Sequence, residues 1–231
     1  MGSVSGILAA AVLLFDIVYG SAGIDKLPAT ADAIFSHFKK GLFSGLYHLD
    51  FINAVLCTVS LPLYFSLALI HKKQGHDTAL LAAALYFCGT AVFLACNSAL
   101  PMAELSNRYS GAASAGESNM ILAAAEAVLV KGRHSGPGIF PAMLLQSSGS
   151  ILISFIMLKS RIIGRKTALA GVIGNPLLLV YVFLVSFFPE TGSIAMIFAL
   201  PGGLLNLAWM TGIIVSLINM YIKNFAGIKH K

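Results

Sequence analysis

The stretch FINAVLCTVSLPLYFSLALI, residues 51–70, contains no charged residue and decides the fold of this chain. A second apolar stretch, ALLAAALYFCGTAVFLACNSAL at residues 79–100, follows it after the short polar segment HKKQGHD. Because a helix needs about 20 apolar residues to cross roughly 30 Å of hydrocarbon, each stretch is long enough to span a bilayer. The two stretches therefore predict a pair of membrane helices joined by a tight turn.

Four further apolar stretches complete the pattern, at residues 4–19, 139–158, 168–188 and 200–221. A signal peptide is the alternative interpretation of the first stretch. The Lys or Arg that usually precedes the apolar run of a signal peptide is absent, and Asp16 interrupts the run. A retained first helix is therefore favoured. The chain is 58% hydrophobic and only 10% charged, whereas a soluble domain carries about 25% charged residues. The sequence thus predicts an all-α membrane helix bundle, a single domain over residues 1–231 with six transmembrane helices.

Lys and Arg in the short loops predict the orientation of these helices. They occur in the turns at residues 71–77 and 159–166 and after residue 221, whereas the short loop around Glu190 has none. Cytoplasmic loops carry an excess of Lys and Arg, and an even number of spans places both turns and both termini on one side. We therefore expect both termini in the cytoplasm. The net charge of +6 fits this topology and anionic lipid rather than nucleic acid, since no basic stripe is interleaved with aromatic residues.

A short amphipathic helix is predicted in the longer segment after the first span. Thr30 or Asp32 can cap its first turn, and Gly41 follows Lys40 at its end. Its apolar stripe consists of Ile34, Phe35, Phe38 and Leu42.

A second amphipathic helix is predicted after the third span. Ser114 and Glu117 form a capping box for a helix that runs to Lys131. Its apolar face consists of Ile121, Leu122, Ala125, Val128 and Leu129. Both amphipathic helices are expected to be extracytoplasmic, lying on the outer leaflet or covering the mouth of the bundle.

Polar residues near membrane depth are the candidates for ligand contact, because a carboxylate at the bilayer centre costs roughly 2.5–3.5 kcal/mol. One hypothesis is a shared, outward-facing polar cavity. The alternative is that these residues are solvated at the interface or join helices through hydrogen bonds of about 0.6 kcal/mol. The candidate ligand-binding residues are Asp16, His48, Asp50, Asn53, Asn97, Glu104, Asn175 and Asn206.

Glycine and proline inside the last two spans are a second indication of ligand binding or transport. Transporters use broken helices to expose backbone dipoles near the midplane, although both residues are also common in ordinary membrane helices. The interruptions are expected at Gly171, Gly174, Asn175 and Pro176 in the fifth span, and at Pro201, Gly202 and Gly203 in the sixth.

The sequence gives little support for an enzyme or a metal site. His37, His48, Asp50 and His134 could form an outer zinc site, but no HExxH motif and no CxxC pair is present. Gly2 and Gly6 match the small-xxx-small pattern of close helix packing. We therefore predict no catalytic residue, no metal site and no cofactor.

Three motifs occur in this order among the apolar stretches: ALPMAELSNRYSGA at residues 99–112, ESNMILAAAEAVL at residues 117–129 and GRKTALAGVIGN at residues 164–175. Over most of the chain, they resemble a prokaryotic family of multi-pass membrane proteins catalogued only as a domain of unknown function. The resemblance implies a six-helix fold in a prokaryotic inner membrane and supplies no substrate or catalytic residue.

Three classes of function remain open. Small-molecule binding or transport would explain the inward polar residues and is preferred. An accessory or structural subunit, with another membrane protein as partner, would explain the scarcity of intramembrane charge. An intramembrane metal-dependent hydrolase would require the His and Asp residues to converge.

Overall fold

The computed structural model describes residues 2–21, 30–133 and 136–228 of the chain. These residues form α-helices, turns and one short 3₁₀ segment, Pro189–Thr191, without any strand, which confirms the all-α prediction. The helices are α1 (Gly2–Ser21), α2 (Ala31–Lys40), α3 (Leu42–Tyr47), α4 (Phe51–Ile70), α5 (Lys72–Cys96), α6 (Ala99–Ser110), α7 (Ala115–Gly132), α8 (Phe140–Ser160), α9 (Arg165–Phe187) and α10 (Gly192–Ile228).

Five segments of the described chain are long and apolar enough to cross a membrane. They are Phe51–Ile70, Gly75–Ser110, Phe140–Ser160, Arg165–Phe187 and Pro189–Lys223. A shorter apolar segment, Gly2–Asp16, lies in α1. Length and composition therefore establish five candidate spans, and the predicted sixth depends on how α1 packs.

Helix α1 packs against α4 and runs antiparallel to it. The Ser5 hydroxyl donates a hydrogen bond to the Val59 carbonyl in the middle of α4, and Gly2 lies against Ser66 near the C-terminal end of that helix. Gly6 also lies against Ile214 of α10. The two glycines thus allow the close packing that their spacing predicts. We call the six long helices α1, α4, α5, α8, α9 and α10 the bundle.

Helices α5 and α8 approach each other closely at two glycines. A Cβ atom on Gly89 would lie 2.8 Å from the Ala142 carbonyl oxygen, and one on Gly149 would lie 2.5 Å from the Ala82 carbonyl oxygen. Both obstacles are backbone atoms, which cannot move aside as a side chain can. The residue pairing also shows that these two helices are antiparallel.

The expected interruptions at proline are absent from the described helices. Helix α9 continues through Pro176, and α10 begins at Gly192 and continues through Pro201. A proline removes one N–H donor, but packing against neighbouring helices keeps a membrane helix intact. The non-helical backbone lies elsewhere: at Gly75 within α5, and at residues 97–98, which separate α5 from α6.

Helices form at both positions predicted to be amphipathic. The Thr30 hydroxyl accepts a hydrogen bond from the Ala33 N–H at 3.3 Å. The Ser114 hydroxyl likewise accepts from the Glu117 N–H at 3.2 Å. The Glu117 carboxylate closes the box one residue earlier than expected, on the Ala113 N–H at 2.8 Å. Local side-chain chemistry therefore fixes where α2 and α7 begin.

Helices α2, α3, α6 and α7 form a small domain-like unit at one end of the bundle, which we call the cap. Its own hydrophobic core includes Phe35, Met102 and Leu129. The predicted face of α7 lies in this core. In contrast, Leu42 is 62% exposed, because the chain turns at Gly41 and Leu42 starts α3 instead of extending α2. The position of the cap relative to a leaflet stays a prediction.

The two ends of the bundle differ in charge. The cap covers one end, which we call the capped end. The opposite end, which we call the basic end, carries seven exposed basic residues: Lys72, Lys73, Lys159, Arg161, Arg165, Lys166 and Lys223.

Candidate binding site beneath the cap

Polar side chains meet where the cap joins the bundle. We call this region the junction and define it by Asp16, Tyr47, His48, Asp50, Asn53 and Asn97. At its edge the Tyr47 hydroxyl donates a hydrogen bond to the Asp16 carboxylate at 3.0 Å. Burial, together with this carboxylate, raises the pKa of Tyr47 to about 12. Tyr47 therefore stays a protonated donor at neutral pH and holds the end of α1 against α3.

Asp50 is the most unusual residue of the junction. It is only 8% exposed, and its φ of 59° places it in the left-handed region that few non-glycine residues adopt. This conformation turns the chain from α3 into α4. Asn53, one helical turn later, donates to the Asp50 carboxylate at 3.1 Å.

Asn97 brings α5 to the same place. Its side-chain amide donates to the Leu49 carbonyl at 3.0 Å. Its side-chain oxygen accepts from the Ala99 N–H at 3.0 Å and so begins α6. Asp50, Asn53 and Asn97, three of the predicted residues, are thus linked by one set of hydrogen bonds around the start of α4.

His48 lies beside a second histidine that comes from α2. The ring centroids of His37 and His48 are 4.1 Å apart. Ser44 of α3 lies 3.4 Å from Nδ1 of His37. A titratable pair therefore borders the junction on the side of the cap.

The other three predicted residues lie elsewhere. Glu104 is an exposed residue of α6 that pairs with Arg108 at 2.8 Å. Asn206 of α10 donates to the side-chain oxygen of Asn175 at 3.0 Å, and Asn175 donates to the Gly171 carbonyl at 2.9 Å. The structure joins these two asparagines to each other as a link between α9 and α10. Whether any of the eight residues contacts a ligand stays a prediction.

Sequence reasoning missed a polar network that continues from the junction into the bundle. Along α4, Asn53, Cys57, Ser60 and Tyr64 recur every three or four residues, so they share one helical face. The Tyr64 hydroxyl hydrogen-bonds the Ser150 hydroxyl of α8. The spacing was a readable signal, but hydroxyl and thiol groups are common in apolar helices and did not stand out.

Neighbouring side chains complete this network. Gln146 of α8 donates to the Thr90 hydroxyl of α5 at 3.2 Å. The rings of Tyr64 and Tyr86 stack with centroids 3.5 Å apart. Three helices are therefore joined by polar contacts near the middle of the bundle.

Metal-binding geometry is not seen in the described residues. No three His, Cys, Asp or Glu side chains within residues 2–21, 30–133 and 136–228 are placed to share one ion. His134, one member of the predicted zinc set, lies outside the described residues. Cys57, Cys88 and Cys96 are free thiols.

His71 is a buried titratable residue at the basic end. It is fully buried, and its Nδ1 donates to the Leu67 carbonyl at 2.8 Å. Its Nε2 has no hydrogen-bond partner in the described part of the chain. Burial lowers the pKa of His71 below its ordinary value of 6.5, because the charged imidazolium would be desolvated.

The long apolar helices and the exposed apolar side chains along them define an all-helical membrane protein. Residues 2–214 match the model of a family described as a domain of unknown function (DUF4386), so the chain belongs to that family. No curated protein and no solved structure matches the chain.

Proposed function

We propose that this chain is a six-span protein of a prokaryotic inner membrane, with both termini in the cytoplasm, that binds a small polar ligand at the junction. The observation that carries the proposal is the buried carboxylate of Asp50 at the entrance to α4. Carboxylates are almost never fully buried unless they are paired, so a buried carboxylate directly before a candidate membrane helix is a candidate for function.

The antiparallel packing of α1 supports the sixth span. Gly2 lies against Ser66 of α4 and Gly6 against Ile214 of α10, so the N-terminal end of α1 lies at the basic end. A helix of 20 residues is about 30 Å long, which matches the hydrocarbon thickness. Six spans place the basic end in the cytoplasm by the positive-inside rule.

The surroundings of Asp50 support binding from the capped side. The cap separates Asp50 from bulk solvent, while Asn53 and Asn97 supply amide groups near it. Convergent polar groups in an apolar frame are a usual feature of small-molecule sites.

Binding is favoured over transport in this proposal. The described helices are continuous at Pro176 and Pro201, so the broken-helix argument for a transport path no longer applies.

The test is a ligand screen by thermal unfolding of the purified protein in detergent. A ligand at 100 times its Kd stabilises the folded state by about 2.7 kcal/mol, which raises the unfolding midpoint. We expect Asp50→Asn to weaken binding at least tenfold, because a hydrogen bond to a charged group contributes about 1.5–3 kcal/mol. Glu104→Gln, which changes an exposed carboxylate of the cap, should keep wild-type affinity.

The proposal fails if Asp50→Asn binds the selected ligands as tightly as the wild-type protein does. Asp16→Ala and Asp50→Ala should also impair activity more than expression. An equal loss of both would assign these residues to folding.

A subunit role is the second candidate, favoured by exposed apolar side chains on the cap. Met120 is 72% exposed and Val130 is 68% exposed. Both lie on α7, which is not among the described segments that are long and apolar enough to cross a membrane. Isolation in mild detergent as a particle of defined composition with another membrane protein would favour this second candidate.

A further inference from the structure

The basic end carries many cations and almost no compensating charge. Asp77 is the one acidic residue near its seven basic residues in the described chain, and it too is exposed. The described residues form one ion pair, Arg108 with Glu104, and this pair is in the cap. The cations of the basic end are therefore not neutralised from within the described protein.

The helix dipole makes the placement of two of these cations less favourable still. Arg165 and Lys166 occupy the first turn of α9, which has no acidic residue there and no side-chain cap from Gly164. The N-terminus of a helix carries a partial positive charge of about +0.5, so cations are disfavoured in its first turn. A bound anion would offset this repulsion, because it attracts both the cations and the positive end of the helix.

The depth of the cations matches that of lipid phosphates. Helix α8 has 21 residues and α9 has 23, which makes each about 30–35 Å long at 1.5 Å per residue. Helices of this length cross the hydrocarbon and bring their ends to the headgroup region. Lys159 lies in the last turn of α8 and Arg165 in the first turn of α9. Ile163 between them is fully buried, which anchors the turn to the bundle.

We propose that the basic end binds the phosphate groups of anionic phospholipids. Lys159, Arg161, Arg165 and Lys166 lie on one turn, and Lys72 and Lys73 lie close to it because α5 packs against α8, with Gly75 near Ile156. Each basic residue near an anionic membrane surface contributes about fivefold in affinity, and salt screens the attraction. The surface therefore selects lipids by charge.

Two triple variants with the same change in net charge test the proposal. The first is Lys159→Gln with Arg165→Gln and Lys166→Gln, at the basic end. The second is Lys39→Gln with Lys40→Gln and Arg133→Gln, in and beside the cap. Arg161 is left unchanged because its φ of 54° is left-handed.

The measurement is the thermal unfolding midpoint in neutral detergent during titration with phosphatidylglycerol or phosphatidylcholine. We expect phosphatidylglycerol alone to raise the wild-type midpoint, with an apparent affinity that falls as salt increases. The basic-end variant should bind phosphatidylglycerol at least tenfold more weakly, and the cap variant should behave as wild type. Native mass spectrometry of the wild-type protein, which needs no variant, should show phosphatidylglycerol retained in preference to phosphatidylcholine.

Three results would overturn the proposal. They are equal stabilisation by both lipids, an equal loss of affinity in the two variants, and equal stabilisation by inorganic phosphate. The third would assign the surface to soluble anions instead of lipid.

Discussion

At the scale of single residues, the informative positions are polar groups that the fold buries away from water. Asp50, Asn53 and Asn97 could be named from the sequence as candidate ligand-binding residues, because charged and amide groups are rare beside long apolar runs. Tyr47 and Tyr64 could not, since an aromatic ring in such a run is usually part of the core. The hydroxyl groups of these tyrosines bond to Asp16 and Ser150, which lie on helices distant in the chain. No local sequence pattern encodes those contacts.

His71 gives a prediction of pH dependence at this scale. Its pKa is lowered by burial, so the folded protein favours the neutral ring and protonation favours unfolding. The contribution of His71 to stability is therefore full above its ordinary pKa of about 6.5 and is lost as the pH falls below that value. We expect the unfolding midpoint of the wild-type protein to decrease from pH 7 to pH 5.

Two variants separate His71 from other titrating groups. His71→Asn keeps a donor near the position of Nδ1 and should flatten the decrease between pH 7 and pH 5. His76→Gln, an exposed histidine five residues along, should leave the decrease unchanged. A wild-type pH profile in His71→Asn would show that this histidine is not the group responsible.

At the scale of helices, the starts of α2 and α7 could be predicted because capping is local chemistry between a hydroxyl and nearby N–H groups. The short helices α3 and α6 could not, since each depends on a turn set by tertiary contacts. Asn97 illustrates this, because its amide is held by Leu49, 48 residues earlier. The continuity of α9 and α10 at proline has the same origin, in packing that sequence patterns do not display.

The contact between α5 and α8 gives a prediction at the scale of helices. Gly89→Ala should destabilise the protein by about 1–3 kcal/mol, the usual cost of overpacking, because the new methyl group would meet backbone atoms of α8. Unfolding in a titration with SDS, followed by circular dichroism, measures this change.

Gly203→Ala is the matched control. Gly203 lies within α10, and a Cβ atom there would have no neighbour within 4 Å. Alanine should be neutral or stabilising by up to about 1 kcal/mol, through its higher helix propensity. Equal stability of the Gly89→Ala and Gly203→Ala variants would contradict the close approach of α5 and α8.

At the scale of the whole molecule, the sequence predicted the class of fold from composition and run length, two properties that do not depend on tertiary contacts. The number of spans is harder to predict, because a charged residue, Asp16, lies in the first apolar stretch. The antiparallel packing of α1 against α4 and α10 is the argument for counting it as a span. In the proposed six-span topology, the cap and the basic end lie on opposite sides of a bilayer.

Labelling of single cysteines with a membrane-impermeant maleimide in intact cells tests this arrangement most directly, after Cys57, Cys88 and Cys96 are replaced by serine. Gly116→Cys in α7 and Glu190→Cys between α9 and α10 should react in intact cells. Lys73→Cys, Lys223→Cys and a cysteine tag fused ahead of Gly2 should react only after the membrane is permeabilised. Reaction of the N-terminal tag in intact cells, with Lys223→Cys still protected, would place the two ends of the chain on opposite sides and contradict the six-span account.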